Sequence, residues 1–372
     1  MKVALNAEPL FQRVATGTGV YTLALCQTYA DLGFAEQVAL FHAEHPLVPP
    51  EVESLPMARH EFGLPREVLY KSWSESRRPA AQTVTGPVDL VHAPGSAVPP
   101  GGGAPIVATI HDLAPLRFAE RYPRDARLTL KRGVSVAARE AARIICPSQF
   151  VASEVRQLLD VDDAHLRVVP HGVSLPPIDP FDAHIFVESR GIREPYVLWV
   201  GTQEERKNVL GVLEAFARVS RARPEVQLIL HGPQGWLGET VAQGIRKRGL
   251  AKSTMVSEGG LTRRELAWIY SCASVFVFPS IYEGFGLPVL EAMAAGAPVV
   301  TSDRSALPES AGEAALLVDP TNADMIGDAV VRVLDDEALR GSLVEKGAAR
   351  ARAFTWQSTA SGTWSVYEEL VG

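Results

Sequence analysis

Short apolar runs alternate with amphipathic helical stretches along almost the whole chain, and this alternation constrains the fold more than any other feature. Runs such as Val3–Asn6 and Tyr196–Val200 are nearly all apolar, which is typical of strands buried on both faces of a sheet. Strands of that kind are joined by crossover helices in parallel sheets. The sequence therefore predicts an α/β protein built on parallel sheets.

The alternation forms two series, separated by a stretch that contains Pro176, Pro177 and Pro180. The first series has predicted strands at residues 3–6, 37–42, 88–92, 106–110, 143–146 and 167–169, and predicted helices at 19–32, 124–141 and 149–159. The second series has predicted strands at 196–200, 226–231, 275–278 and 298–301, and predicted helices at 208–221, 239–247, 264–272, 287–294 and across 322–353. The proline stretch is the predicted hinge.

Two domains of similar size also follow from the length, because 372 residues is about two and a half times a typical domain. We expect residues 1–173 to form the first domain and residues 174–354 the second. The last amphipathic helix, across residues 355–370, carries Trp356, Trp364 and Tyr367 near helical spacing. We expect it to cross back, so that residues 355–372 complete the first domain.

The charge and cysteine content exclude several kinds of protein. Thirty-six basic and 43 acidic residues give a net charge of −7 without a long basic run, so no nucleic acid partner is expected. Cys26, Cys146 and Cys272 lie far apart in apolar stretches, which favours buried free thiols over disulfides or a zinc site. We expect a cytoplasmic protein, for which peripheral contact with the inner face of the membrane stays open.

The most informative motif spans residues 278–300 and has the sequence FPSIYEGFGLPVLEAMAAGAPVV. A buried strand ends there, a glycine turn follows, and a helix begins near Pro288. Exposed N–H groups at such a helix N-terminus favour an anion such as a pyrophosphate. Glu283 lies in the turn and Glu291 lies on the helix. The alternative is structural: Glu291 is then only a helix carboxylate, and the glycines only permit a tight turn.

The pattern E-G-F-G-L-P-x-x-E, followed by small residues and G-x-P-V-V, resembles the signature of the retaining glycosyltransferases of family 4. Within the family, the chain is similar to bacterial mannosyltransferase-like group 1 members. The resemblance extends over nearly the whole chain. It implies a GT-B fold, in which two Rossmann-like domains face each other across a cleft. The first domain would then bind mostly the acceptor, and the second mostly the nucleotide-diphosphate sugar.

The same resemblance implies roles for residues of the second domain. Arg206 and Lys207, in the segment VGTQEERKN, would meet the diphosphate, although Thr202 follows Gly201 where family members often have a further phosphate-binding arginine. Glu283 would be a catalytic residue that orients sugar hydroxyls, and Glu291 would bond the ribose. The other implied donor-binding residues are Gly201, Gly232, Leu261, Gly284, Phe285, Gly286 and Leu287, of which Gly232 and Leu261 lie where the family binds the base.

In the first domain the resemblance points to His111 as a second catalytic residue, which would approach the donor sugar from the end of a buried strand. A structural hydrogen-bonding role is the alternative for a histidine at that position. Asp112 is expected to cap the turn or to orient His111. Gly17 and Gly19 open the first helix, at the place where family members bring a glycine-rich loop near the donor phosphate and the acceptor.

Three other interpretations are weaker. The segment that contains Gly17 and Gly19 lacks the third glycine of a dinucleotide fingerprint, since Thr22 stands there, which disfavours a Rossmann oxidoreductase. Asp160 and Asp162 have the spacing of a metal-binding D-x-D motif but are expected in a solvated loop at a helix end. His42 and His45 have no nearby third ligand in the sequence, so zinc is not expected there.

The resemblance therefore implies a retaining, metal-independent hexosyltransferase that has no cofactor. The expected donor is GDP-mannose, with UDP- or dTDP-sugars as alternatives. The expected acceptor is a glycan, a lipid-linked molecule or a small molecule of polysaccharide or glycoconjugate biosynthesis. The resemblance also implies same-face attack within a short-lived ion pair, with the leaving phosphate taking the acceptor proton, and the sequence itself identifies no side-chain nucleophile. A homologue that binds the nucleotide sugar without turnover is the remaining alternative.

Overall fold

The computed structural model describes residues 1–12, 17–121, 124–235 and 237–372, without the side chains of residues 121, 124–126 and 129. The chain divides into two compact units. Unit 1 comprises Met1–Gly172 together with Trp356–Gly372, and unit 2 comprises Val173–Thr355. Among the described residues, each unit is built on a single parallel sheet, so the predicted pair of Rossmann-like sheets is confirmed.

Unit 1 contains a seven-stranded parallel sheet in the order β3-β2-β1-β4-β5-β6-β7. Its strands are β1 (Val3–Asn6), β2 (Val38–Glu44), β3 (Ala58–Pro65), β4 (Leu90–Ala93), β5 (Ile106–Thr109), β6 (Ala141–Cys146) and β7 (Leu166–Val168). Its helices within residues 1–172 are α1 (Gly17–Asp31), α2 (Pro50–Glu53), α3 (Arg66–Glu75), α4 (Gln82–Thr85), α5 (Ala114–Arg117), α6 (Arg124–Glu140) and α7 (Gln149–Leu159). Every residue of β1, β4 and β5 is buried, which explains their continuous apolar sequences.

Unit 2 contains a six-stranded parallel sheet in the order β10-β9-β8-β11-β12-β13. Its strands are β8 (Tyr196–Val200), β9 (Gln227–His231), β10 (Thr254–Ser257), β11 (Val275–Phe278), β12 (Val299–Ser302) and β13 (Ala315–Val318). Its helices are α8 (Pro180–Ser189), α9 (Val209–Ala222), α10 (Gly238–Lys247), α11 (Arg263–Ser271), α12 (Leu287–Ala294), α13 (Leu307–Ala311), α14 (Ala323–Asp335) and α15 (Glu337–Arg352). The two strands at its centre, β8 and β11, are fully buried.

The strand orders place a topological switch point in the middle of each sheet. In unit 2 the chain runs from β8 outward to β10 on one side, and from β11 outward to β13 on the other. In unit 1 the corresponding neighbours are β1 and β4. Ligands of open α/β sheets bind beyond the carboxyl ends of the strands at such a point, so the loops after β8 and β11 and after β1 and β4 are the places to look for sites.

The final helix, α16 (Trp356–Val371), belongs to unit 1, where it packs against α1. Trp364 stacks on Phe34 with ring centroids 4.0 Å apart. The hydroxyl of Tyr29 donates to that of Tyr367 at 3.1 Å, so Tyr367 in turn donates to His92 Nδ1 at 2.6 Å. The aromatic residues of this helix thus pack within unit 1.

The sequence prediction missed several of the described elements, among them the short helices α2, α4, α5 and α13 and the longer α3. It missed β3, β10 and β13, which are edge strands with partly exposed residues and a weaker apolar pattern. It also assigned the proline stretch to a hinge only, whereas α8 begins at Pro180 after eleven residues without regular secondary structure. Asp179 caps that helix by accepting from the N–H groups of Phe181 and Asp182. Proline is well tolerated at a first helical position, which explains the error.

Two further expectations concern the cysteines and the membrane. Cys26, Cys146 and Cys272 are all buried free thiols, as predicted. Among the described residues, no helix is both long enough and apolar enough to span a bilayer.

Candidate active site

The loops that follow β8 and β11 are joined beyond the carboxyl ends of these neighbouring strands. After β8 the chain forms a short 3₁₀ turn, Glu205–Lys207, and then passes through Asn208 with φ at +56°. The Asn208 Nδ2 donates to the carbonyl of Pro279 at 3.0 Å and to that of Pro320 at 2.6 Å. Asparagine is one of the few residues that tolerates this backbone conformation, and its side chain also links the two loops.

Lys207 and Glu283 form an ion pair at this point. The Lys207 Nζ lies 2.6 Å from Glu283 Oε1, and the exposed fractions of the two side chains are only 13% and 9%. The same ammonium lies 5.0 Å from the centroid of the Phe278 ring, within cation–π distance. The carboxylate predicted to orient the sugar is thus held by a cation predicted to bind the diphosphate.

Arg206 contacts the same carboxylate from a second side. Its Nη1 lies 3.2 Å from Glu283 Oε1 and donates to the carbonyl of Tyr282 at 3.0 Å. Its Nη2 donates to Glu204 Oε1 at 2.7 Å. The four charged side chains therefore form one compact cluster of two cations and two anions.

The electrostatics of the cluster follow from burial and from these contacts. Burial raises the pKa of Glu283, but the charges of Lys207 and Arg206 and the hydrogen bond from Lys207 outweigh it, so the pKa lies below its ordinary value. Burial lowers the pKa of Lys207, and the charge of Glu283 opposes that shift. Glu283 is consequently an anion whose lone pairs are already directed to cations.

The glycine turn leads from Glu283 into α12. Gly286 has φ at +99°, and a Cβ there would lie 2.6 Å from Leu307 Cδ2, so the turn requires glycine. The backbone N–H of Glu283 donates to Ser305 Oγ at 3.1 Å, and the Ser310 hydroxyl donates to the carbonyl of Phe285. The turn is held rigidly, and α12 begins directly at Leu287 with Pro288 in its first turn. Gly284 lies buried between Glu283 and Phe285 in the same turn.

Glu291 lies in a different environment from Glu283. The hydroxyl of Tyr270 on α11 donates to Glu291 Oε2 at 3.3 Å. Burial raises the pKa of Glu291, while the charge of Arg263 and the bond from Tyr270 act in the opposite direction. The structure therefore gives the two glutamates separate partners.

Gly201 and Gly232 are brought together where β8 and β9 end. The Gly201 N–H donates to the carbonyl of His231 at 2.9 Å. Gly232 has φ at +135°, and a Cβ on it would lie 2.2 Å from the carbonyl oxygen of Gly201. The close backbone approach by itself accounts for glycine at position 232.

Leu261 follows two glycines of positive φ, Gly259 and Gly260, and packs partly buried against the core of unit 2.

In unit 1, His111 lies just beyond β5 with both ring nitrogens engaged. Its Nε2 lies 2.7 Å from the carbonyl of Pro94, which can only accept, so Nε2 carries the proton. Burial lowers the pKa of His111, and the resulting neutral ring presents Nδ1 as an acceptor to His171 Nε2 at 3.0 Å. The Tyr21 ring packs on both imidazoles. These contacts support the structural role that the sequence analysis gave as the alternative for His111.

A cavity of about 200 Å³ in unit 1 adjoins His111. Its polar lining includes Thr18, Ser96 and Asp112, and its apolar lining includes Leu113 and Val134. Thr18 stands between Gly17 and Gly19, so the predicted glycine-rich segment and His111 border a common space. Thr16, the first residue of that segment, lies outside the described residues.

Three aspartates that the sequence analysis considered, Asp112, Asp160 and Asp162, have structural roles. The Asp112 Oδ1 accepts from the N–H of Ala114, which confirms the expected turn cap. Asp160 ends α7 with φ at +54°, and Asp162 caps the next short helix, so both lie in the solvated loop that was expected. The sequence analysis found no third ligand near His42 and His45, but the fold brings the carboxylate of Glu8 close to both, with one ligand atom of each side chain within 4.8 Å of the others.

The structure also reveals site residues that the sequence argument did not single out. His171 was not considered as a site residue, and Glu204 was included only as part of VGTQEERKN. A histidine or glutamate next to a predicted site residue in the same motif is a weak signal, because the contact depends on the fold around it.

Two family models cover most of the chain. The model of glycosyl transferases group 1 matches residues 181–350, and the model of glycosyltransferase family 4 matches residues 15–175. Each match lies almost entirely within one unit, and together they include the loops described above. The chain belongs to the group 1 glycosyltransferases. Its activity is accordingly glycosyl transfer, which excludes the oxidoreductase alternative.

Individual relatives agree with this assignment. The chain is 28% identical over 384 residues to the O-antigen chain mannosyltransferase B of Escherichia coli, with all of both chains covered. Its fold is similar to that of the sucrose-phosphate synthase of Thermosynechococcus elongatus, with a TM-score of 0.80, 23% identity and 99% and 98% of the two chains covered. It is also similar to HepE of Anabaena, solved with UDP-glucose, with a TM-score of 0.79, 17% identity and full coverage of both. The predicted GT-B fold is confirmed.

Proposed function

We propose that this group 1 glycosyltransferase moves a mannose-like hexose, with retention of configuration, from GDP-mannose to a glycan, a lipid-linked molecule or a small-molecule acceptor. The cluster of Lys207, Arg206 and Glu283 at the switch point of unit 2 is the observation that carries the proposal. The similarity over the full length to an O-antigen chain mannosyltransferase supports mannose as the sugar.

The departing nucleoside diphosphate needs positive charge, and the cluster provides it without a metal ion. Lys207 and Arg206 are partly buried cations, and the N-terminus of α12 adds the positive end of a helix dipole. Charges fixed in place before the reaction stabilise a developing anion more effectively than mobile solvent does. In this proposal the ammonium of Lys207 and the guanidinium of Arg206 are shared between Glu283 and the diphosphate.

Glu283 orients the sugar in this proposal and does not attack it. A carboxylate that is paired with two cations, and whose pKa is low, is a poor nucleophile and a poor base. This supports attack from the same face within a short-lived ion pair, in which the leaving phosphate accepts the proton of the acceptor hydroxyl. Glu291 bonds the ribose, and the backbone of the turn at Gly284 and Gly286 contacts the sugar.

His111 positions the donor sugar in this proposal, and its bond to Pro94 sets a condition on how it can do so. The Nε2–H would have to leave the Pro94 carbonyl to reach a ligand, since the other nitrogen is bound to His171. We therefore assign no proton transfer to His111. Its neighbours Gly17 and Gly19 lie beside the cavity that we propose for part of the acceptor.

A thermal-shift screen of UDP-, GDP-, ADP- and dTDP-sugars tests the donor assignment. The proposal expects the largest rise in melting temperature with GDP-mannose, and preferential stabilisation by uridine nucleotides would contradict it. Release of nucleoside diphosphate from the stabilising donor, in the presence of candidate acceptors, separates a transferase from a homologue that only binds. The variant Glu345→Gln, at an exposed site on α15 away from the cluster, is the control for substitutions of Glu283 and Glu291 and should behave as wild type in both assays.

A further inference from the structure

Glu8, His42 and His45 form a cluster at the carboxyl ends of β1 and β2 in unit 1, and the proposed transfer mechanism does not use it. Glu8 follows β1 by two residues, His42 lies on β2, and His45 follows that strand. One ligand atom from each side chain lies within 4.8 Å of the others. Glu8 is more than 30 positions from either histidine in the sequence, so only the fold brings it to them.

The hydrogen bond of His42 fixes which of its nitrogens is available. The Nδ1 lies 2.7 Å from the carbonyl of Ala43, which only accepts, so Nδ1 carries the proton. The Nε2 then holds a bare lone pair, and in the described part of the chain it is buried without a hydrogen-bond partner. Histidines that bind metals commonly donate their other N–H to a backbone carbonyl in this way.

Glu8 is a buried carboxylate with one oxygen left for a ligand. Its side chain is fully buried. The Oε1 accepts from the N–H of Ala43 at 2.6 Å and lies 2.8 Å from His45 Nε2. The Oε2 lies 3.6 Å from Arg66 Nε and is buried with no hydrogen-bond partner among the described residues. Arg66 is thus a distant charge partner for Oε2 but donates no hydrogen bond to it, and a buried acceptor without a hydrogen bond costs free energy.

Neighbouring residues hold the cluster in place. The ring of Phe11 stacks on His45 with centroids 4.3 Å apart and also packs on His42 at 4.4 Å. The N–H of Glu8 donates to Asn6 Oδ1 at 3.1 Å, while Asn6 Nδ2 donates to the carbonyl of Ala97. The carboxylate and both imidazoles are thus positioned by contacts that leave their free atoms available.

We propose that Glu8, His42 and His45 bind one Zn²⁺ ion in unit 1. Two neutral imidazoles and one carboxylate are a ligand set that zinc accepts, with a fourth position left for water or for a ligand oxygen. Zinc lies about 2.0–2.2 Å from each of its ligand atoms. The ion would therefore lie between His45 Nε2 and Glu8 Oε1, and binding requires that these two atoms give up their direct contact. The charge of the ion then replaces the long contact from Arg66 as the compensation for Glu8.

Metal analysis and titration of the full-length chain, purified without a histidine tag, test the site. The expected result is one zinc per chain after incubation with zinc sulfate and dialysis, together with a higher melting temperature than in the chelator-treated protein. His42→Gln and Glu8→Gln should each weaken zinc binding by at least about tenfold and abolish the rise in melting temperature. Circular dichroism of the metal-free variants shows whether they are folded.

A second cluster in unit 2 requires a control. His184, Glu194 and Cys272 also place ligand atoms within 4.8 Å of one another, with the first two exposed. The variant His184→Ala should retain the zinc, and a Co²⁺ derivative should lack the charge-transfer absorption that a thiolate ligand gives. Loss of zinc in His184→Ala, or equal zinc binding by wild type and folded His42→Gln, would overturn the proposal.

Discussion

The Nζ of Lys207 lies 2.6 Å from Glu283 Oε1, although the two residues are 76 positions apart in the sequence. Their loops follow β8 and β11, which are neighbours only because the order of the strands reverses at the middle of the sheet. A residue proposed to hold the phosphate and a residue proposed to hold the sugar are therefore coupled directly. A substitution of either residue changes the charge that surrounds the other.

The two glutamates should differ in kinetics. In Glu283→Gln the sugar loses a charge-assisted contact, so kcat should fall by about tenfold or more, whereas the affinity for the nucleoside diphosphate should not fall, because Lys207 and Arg206 keep their charges. Glu291→Gln should instead weaken binding of the free nucleoside diphosphate, because its proposed contact is to the ribose. Steady-state rates and calorimetric titrations, with Glu345→Gln as control, measure both effects. Identical profiles for the two variants would contradict the separate roles.

His111→Ala should lower turnover and spare nucleotide binding, since the proposed contact is to the sugar. The substitution also removes the bonds to Pro94 and His171, so the melting temperature must be measured beside kcat and KM. A lower melting temperature with normal kinetics in the folded fraction would show that His111 is structural only. The exposed variant His165→Ala is the control for loss of an imidazole.

The stability of unit 1 should fall in acid because His92 is buried as a neutral ring. Burial and the nearby His111 lower the pKa of His92 to about 3, against 6.5 as the ordinary value. Between these pH values the unfolded chain binds a proton that the folded chain does not, so the free energy of unfolding falls by about 1.4 kcal/mol per pH unit as the pH decreases.

Urea unfolding at pH 6 and pH 5 measures this dependence. A folded His92→Asn variant should lose stability less steeply than wild type, whereas His165→Asn should match wild type. Since His42, His111, His171 and His231 also have lowered pKa values, some acid sensitivity should persist in every variant. Equal slopes for wild type and His92→Asn would contradict the account of this buried ring.

Manganese or magnesium should not activate the transferase. The proposed charges on the diphosphate come from Lys207, Arg206 and the N-terminus of α12, which leaves a metal ion no part in phosphate departure. Rates measured in EDTA and with added Mn²⁺ should agree within about twofold, well under the tenfold that 1.4 kcal/mol of barrier represents. A requirement for manganese would contradict this mechanism and return attention to Asp160 and Asp162.

The sequence predicted the parts of the fold that depend on buried strands. β8 and β11 were located to the residue, because sheets covered on both faces need continuous apolar runs. The edge strands β3, β10 and β13 lack that signal because part of each faces solvent. Helix α8 was missed because its first residues look like a linker.

The site was predicted as a set of motifs and not as a set of contacts. Glu283, Lys207 and Arg206 were all chosen, but nothing in the sequence shows that the first is the ion-pair partner of the other two. In the same way the sequence does not show that Glu8 lies near His42 and His45, because this proximity depends on the pairing of β1 with β2. Partners that are distant in the sequence depend on strand order, which local patterns do not encode.

Binding of the nucleoside diphosphate to Lys207 and Arg206 variants tests the central claim most directly. Each alanine substitution removes a charge-assisted contact worth roughly 1.5–3 kcal/mol, so calorimetry should show an increase in Kd of about 10- to 150-fold. The double variant should lose less than the sum, because both cations share Glu283. The exposed Lys346→Ala serves as control and should bind as wild type does. Unchanged affinity in folded Lys207→Ala and Arg206→Ala would contradict the placement of the donor diphosphate at this cluster.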